Sequence, residues 1–143
     1  MGCDCDDLRA ILALLAANAM HNDLAEWDAY GALFTDDAVL HCFGRDYVGR
    51  EEVVAFTARR HMGKHMLSTP LIEIDGDTAK VSVDHAFYRY PDLALFGVGV
   101  YKDDLLKVDG QWKFARREVI VHGHHAEMTA ASKQNLVPIA DTL

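Results

Sequence analysis

A chain of 143 residues is long enough to bury one hydrophobic core and too short for two comfortable domains. It is 50% hydrophobic and 25% charged, the composition of an ordinary globular protein, which excludes wholesale disorder. The formal net charge of -8, with no basic stripe, argues against a surface built to neutralise nucleic-acid phosphates.

The apolar run from Ala10 to Met20 is too short to span a bilayer and lacks the cationic start of a signal peptide. The expected location is therefore cytoplasmic, with neither membrane nor nucleic acid as a partner. Cys3, Cys5 and Cys42 make no disulfide framework, and residues 1–6 read as a flexible acidic tail with no assigned role.

Asp6 and Asp7 precede Leu8, Ile11, Leu12 and Leu15, whose spacing predicts one face of a first helix, with acidic residues at its positive end. A second, short helix is expected to carry Leu24, Trp27, Tyr30, Gly31 and Phe34, followed by a turn at Thr35-Asp36-Asp37 and a strand from Ala38 to Phe43. Gly44 and Gly49 bracket a loop or hairpin, and a third helix is expected from Gly49 to about Met62. Segments 64–74, 78–90, 94–108 and 112–122 then alternate or run β-branched, separated by turn signals at Asp75-Gly76-Asp77, Pro91-Asp92 and Asp109-Gly110. Three helices followed by four strands in hairpin order predict a single α+β domain over 1–143 with a curved antiparallel sheet. Residues 123–143 lose the strand pattern and read as an extension covering a sheet edge, a pocket mouth or a neighbouring subunit.

Side chains alternate along a strand, so Val81, Val83, His85 and Phe87 share a face and His85 stands on an apolar one. On the last strand Trp112, Phe114 and Arg116 oppose Lys113, Ala115 and Arg117, which leaves open which arginine is internal. The pattern around His65 is equally open. Each histidine taken alone is either a hydrogen-bonded core residue or a catalytic group. Two on adjacent antiparallel strands favour a site in which burial and charge tune proton affinity. His122, His124 and His125 in VHGHH, with His21, His41 and His61 elsewhere, raise the question of zinc. An HxHH at a strand end splits its ligands across opposite faces, and no HExxH or CxxC supports it, so no metal is expected. Asp36-Asp37 and Arg59-Arg60 read as a solvated turn and a helix end, outside any site.

The strings NDLAEWDAYGALFTDDAV at 22–39, YVGREEVVAF at 47–56, HMLSTPLIEIDGDTAKV at 65–81 and VGVYKDDLLKVDGQWKFARR at 98–117 resemble, in that order, the nuclear transport factor 2-like superfamily in its SnoaL-like branch. That branch includes scytalone dehydratase, bile acid 7α-dehydratase and the lindane dehydrochlorinase. The resemblance implies a cone-shaped α+β barrel, with N-terminal helices packed on a strongly curved mixed or antiparallel sheet that encloses an apolar pocket. Asp23, eleven residues before Phe34, matches the aspartate of these enzymes, and His65 at the head of HMLSTP matches the histidine hydrogen-bonded to it. Arg117, five residues after Trp112, matches a pocket arginine of the dehydrochlorinase. His85 stands near the second histidine of scytalone dehydratase but off its spacing. The family's tyrosine near the end of the first helix has no counterpart among Asn18, Met20 and His21, and which of Tyr30, Tyr47, Tyr88, Tyr90 and Tyr101 replaces it is open.

The function implied is a lyase, a dehydratase needing no cofactor and acting on a small hydrophobic cyclic or polyketide-like substrate. Asp23 would fix the tautomer of His65, and His65 would take the proton. A protonated His85 would protonate the leaving hydroxyl, and Arg117 would stabilise developing negative charge. Met62, Met66, Leu67, Phe87, Phe96, Trp112 and Phe114 are expected to shape the pocket, in a homodimer or homotrimer. The rival readings are an isomerase using the same dyad and a noncatalytic ligand-binding or assembly module resembling the β subunits of ring-hydroxylating dioxygenases.

Overall fold

A computed structural model of the protein describes residues 4–60, 62–124 and 135–142. Helix α1 spans Asp4–Asp23, so the acidic stretch from Asp4 to Asp6, expected as part of a tail, is helical. Its inward stripe is Ile11, Leu14, Leu15, Asn18 and Ala19, whereas Leu8 and Leu12 are 42% and 43% exposed. Ile11 and Leu15 satisfy both registers of the three-and-four spacing. Packing against the sheet selects the one that also buries Leu14.

Helix α2, Trp27–Ala32, ends before Phe34, and the expected turn at Thr35-Asp36-Asp37 is instead the start of strand β1, Phe34–Cys42. The register of that strand slips between Phe34 and Val39, which accommodates two exposed aspartates in a strand. Arg50, at the start of helix α3 (Arg50–Ala58), clamps this end of β1: its Nη2 donates to the Phe34 carbonyl at 2.6 Å and lies 3.0 Å from Asp36. Strand β2 is Arg45–Val48. The 64–74 segment breaks before Pro70, which has no N–H to donate, into β3 (Gly63–Leu67) and β4 (Leu71–Asp75). Strands β5 (Thr78–Arg89), β6 (Ala94–Val108) and β7 (Gln111–His124) follow in antiparallel order as expected.

The sheet runs β2-β1-β7-β6-β5-β3, with β4 also paired to β5. It is mixed, because β1 lies parallel to β7, and it is open, ending at β2 and β3. Three single-residue bulges curve it. Phe96 is extra where Phe87 pairs Gly97 and Tyr88 pairs Leu95. Ala115 is extra where Asp104 pairs Arg116 and Leu105 pairs Phe114, and His122 is extra where Val98 pairs Gly123 and Gly99 pairs Val121. Each bulge bends its strand and sharpens the twist. The one at Ala115 also resets the alternation: Trp112 and Phe114 are followed inward by Arg117, not Arg116.

Ile11, Phe34, Val53, Leu105 and Phe114 are fully buried where the helices meet the concave face. The Phe34 and Phe114 rings lie 5.2 Å apart. Each such side chain stabilises the fold by about 1.5–3 kcal/mol relative to exposure. Residues 135–142 return to β7 where β1 leaves it: Leu136 bridges Val121 in parallel, the Val137 N–H donates to the Val121 carbonyl at 2.8 Å, and His122 Nδ1 donates to the Val137 carbonyl at 2.7 Å. No helix among the described residues is long and apolar enough to cross a membrane.

Gly99 faces His85 across β5 and β6, and a Cβ there would lie 1.8 Å from the Ile120 carbonyl oxygen and 2.9 Å from His85 Cε1. Gly99→Ala is therefore expected to lower stability by about 1–3 kcal/mol in urea denaturation. Gly123→Ala is the control, since its Cβ would meet nothing within 4 Å.

Candidate functional site

A cavity of about 130 Å³ lies between α2, α3 and the concave face, walled by Tyr30, Leu40, Phe56, Phe87, Phe96 and Val119. Its polar groups include Asn22, His65, His85 and Arg117. A second hollow of about 390 Å³ lies between α1 and β3, and His65 borders both. Of the residues expected to shape the pocket, Phe87 and Phe96 do so. Met66 and Leu67 line the second hollow instead, Met62 is exposed, and Trp112 and Phe114 belong to the core.

The last residue of α1 and the third of β3 bring Asp23 and His65 together, with His65 Nδ1 2.6 Å from Asp23 Oδ1. The His65 backbone N–H donates to both carboxylate oxygens at 3.1 Å, and Lys64 Nζ lies 3.3 Å from Oδ2. Burial alone would raise the pKa of Asp23, but the His65 ring, its backbone N–H and Lys64 outweigh it and hold the carboxyl below its ordinary value of 3.8. An ionised carboxylate only accepts hydrogen bonds, so neutral His65 must carry its proton on Nδ1, which leaves the lone pair on Nε2. The Phe87 ring, 4.6 Å away, packs against the imidazole.

His85 is buried and lies flat on Tyr101, with ring centroids 4.0 Å apart and planes 3° apart. Burial first, and then the positive charge of Arg117, push its pKa from 6.5 down to about 3. That environment keeps His85 uncharged at neutral pH, whereas the expected acid role calls for the protonated ring. Unfolded chains bind this proton below pH 6.5 while the folded protein resists it down to about 3, so His85 destabilises the fold as pH falls through that window. His85 is expected to contribute about 1.4 kcal/mol per pH unit to the slope of stability against pH, read as the difference between the protein and His85→Phe in denaturation at several pH values.

Arg117, expected to stabilise developing negative charge, is also buried. Its Nε and Nη2 donate to the two Asp103 oxygens at 2.7 and 2.8 Å, and Nη1 donates to Asn18 Oδ1 at 2.6 Å. The guanidinium carbon sits 4.0 Å from the Tyr101 ring centroid and 4.5 Å from that of Phe114. Desolvation disfavours the charge, but the Asp103 carboxylate prevails and raises the Arg117 pKa. Arg117 lines the cavity with its charge already matched.

Of the five tyrosines left open by the sequence, Tyr30 and Tyr101 line the cavity, and burial raises the pKa of each, so both phenols stay protonated. The Tyr30 hydroxyl lies 3.3 Å from Thr57 Oγ1. Asp103 and Cys42 were not anticipated. Asp103 was detectable, since it alternates with Tyr101 and Leu105 on one face of β6. Cys42 also lines the cavity, its thiol pushed up to about 11 by burial. Arg60, expected to serve only the end of a helix, instead lies over the Phe43 and Phe56 rings at 5.1 and 5.3 Å and borders the cavity. Among the described residues no group of three His, Cys, Asp or Glu is placed to hold a metal ion. Cys3, His61 and His125 lie outside the described residues.

The sequence matches the family model for the SnoaL-like domain over residues 4–118. No curated protein matches it significantly. A protein of unknown function with a cystatin-like fold from Nostoc punctiforme superposes with a TM-score of 0.74 at 26% identity, over 80% of this chain and 90% of that one. A provisionally named scytalone dehydratase from Novosphingobium aromaticivorans gives 0.78 at 23% identity, over 95% of each chain. LinA gives 0.75 at 18% identity, over 87% of this chain and 93% of its own. The last two likenesses establish a shared fold.

Proposed function

The chain belongs to the SnoaL-like domain family, and from that premise we propose that it is a cofactor-independent dehydratase of a small hydrophobic cyclic or polyketide-like alcohol. The observation that carries this reading is the 2.6 Å contact between Asp23 and His65 on the wall of an apolar cavity. Asp23 holds the proton on Nδ1, so Nε2 is free to take a proton from a carbon next to a carbonyl. The carbon–hydrogen electron pair forms an enolate, which collapses to a carbon–carbon double bond as the carbon–oxygen bond of the hydroxyl breaks. With His85 uncharged, the proton that makes the leaving hydroxyl into water returns from His65 Nε2 itself. That route requires elimination on one face of the substrate and leaves His65 neutral for the next turnover. The nearby occurrence of the scytalone dehydratase name among fold relatives supports the choice of reaction class.

The uncharged state of His85 also supports a second reading, an isomerase, because proton removal and return by one dyad suffices without a separate acid. A panel of hydroxylated cyclic ketones separates the two. Rising enone absorbance that His65→Ala abolishes is the expected result. Proton exchange from deuterated water with the hydroxyl retained indicates the isomerase. Binding of these ketones with neither reaction would reduce the protein to a ligand-binding module.

A further inference from the structure

We propose that His85 is a ligand anchor, its Nδ1 forming a hydrogen bond with a hydroxyl group on an uncharged ring compound seated in the cavity. The inference rests on the reading of that cavity as a substrate site and adds the class of compound it takes. His85 Nδ1 is buried and has no hydrogen-bond partner among the described residues. An unsatisfied buried nitrogen costs about 1–3 kcal/mol, so a group entering the cavity with a matching hydrogen bond recovers part of that cost. The ring is held in place by its stack on Tyr101 and by the tight approach of Gly99 beneath Cε1.

The chemistry of the surroundings narrows the partner. A hydroxyl both donates and accepts, so it suits either tautomer of a neutral imidazole. A carboxylate reaching this depth would find Arg117 already bound through two bonds to Asp103 and a third to Asn18, and would lie buried without a counter-charge. A cation would lie close to the Arg117 guanidinium. The aromatic walls at Tyr30, Phe56, Phe87 and Phe96 suit a flat ring, and about 130 Å³ limits its size. His65 and His85 then grip the ligand at two points, the first at the reacting carbon and the second at a hydroxyl that orients the ring.

The test compares para-cresol with para-xylene, which differ mainly by a hydroxyl in place of a methyl, using backbone amide shifts of the full chain. Para-cresol is expected to bind about tenfold more tightly. His85→Phe keeps an aromatic ring against Tyr101 and is expected to bring para-cresol down to the affinity of para-xylene while leaving para-xylene unchanged. Asp23→Asn is expected to keep the preference for para-cresol, so loss of the anchor and loss of the dyad are separately visible. Equal binding of the two probes to the unsubstituted protein, no binding of either, or a preference that survives His85→Phe would each overturn the proposal.

Discussion

Asp23→Asn lowers kcat of the proposed dehydration by about two to four orders of magnitude, the range for loss of a positioned general base. The mechanism is loss of orientation more than loss of contact. An Asn oxygen still accepts from the His65 backbone N–H, so β3 stays docked on the end of α1, but the amide no longer demands a proton on Nδ1. His65 then spends part of its time with the proton on Nε2, where it cannot act as a base. Nitrogen chemical shifts of the imidazole report the tautomer directly, and circular dichroism checks that the fold survives. Full activity in this variant with the tautomer changed would remove His65 from the reaction.

The largest stability effect is expected at Asp103. Asp103 and Arg117 are 2% and 4% exposed, so replacing the carboxylate alone strands a guanidinium in the core. Asp103→Ala is expected to cost about 3–5 kcal/mol, whereas the joint change Asp103→Leu with Arg117→Met costs much less because both charges leave together. Urea denaturation of Asp103→Leu, Arg117→Met and the double variant gives the coupling between the two sites. Additive losses would mean that the pair contributes nothing specific to the core.

What could be read in advance follows from how local the signals are. Alternation on β5 placed His85 on the buried face because Ala79, Val81 and Val83 keep a strict period of two there. The hairpin order of β5 to β7 followed from the turn signals at Pro91-Asp92 and Asp109-Gly110 and was equally accessible. The parallel pairing of β1 with β7 was not, since no local pattern reports which distant strand a segment joins. The inward turn of Arg117 was hidden for a related reason, a bulge being a property of two paired strands. Asp23 and His65 could be matched to a family pattern residue by residue, but their 42-residue separation leaves no local sign of contact. The charge state of His85 depended on burial and on Arg117, neither of which spacing along one strand reveals.

The extra residue at Ala115 also bears on how such a scaffold diversifies. Removing one residue there would leave Trp112, Phe114 and Arg117 on the same face, because a bulge counts two positions as one. The inward-facing chemistry would persist while the bend it sits on relaxed. In this sheet a single-codon deletion is therefore a change of container and not of contents, a route by which descendants of one gene acquire cavities of different depth around an unaltered set of polar groups.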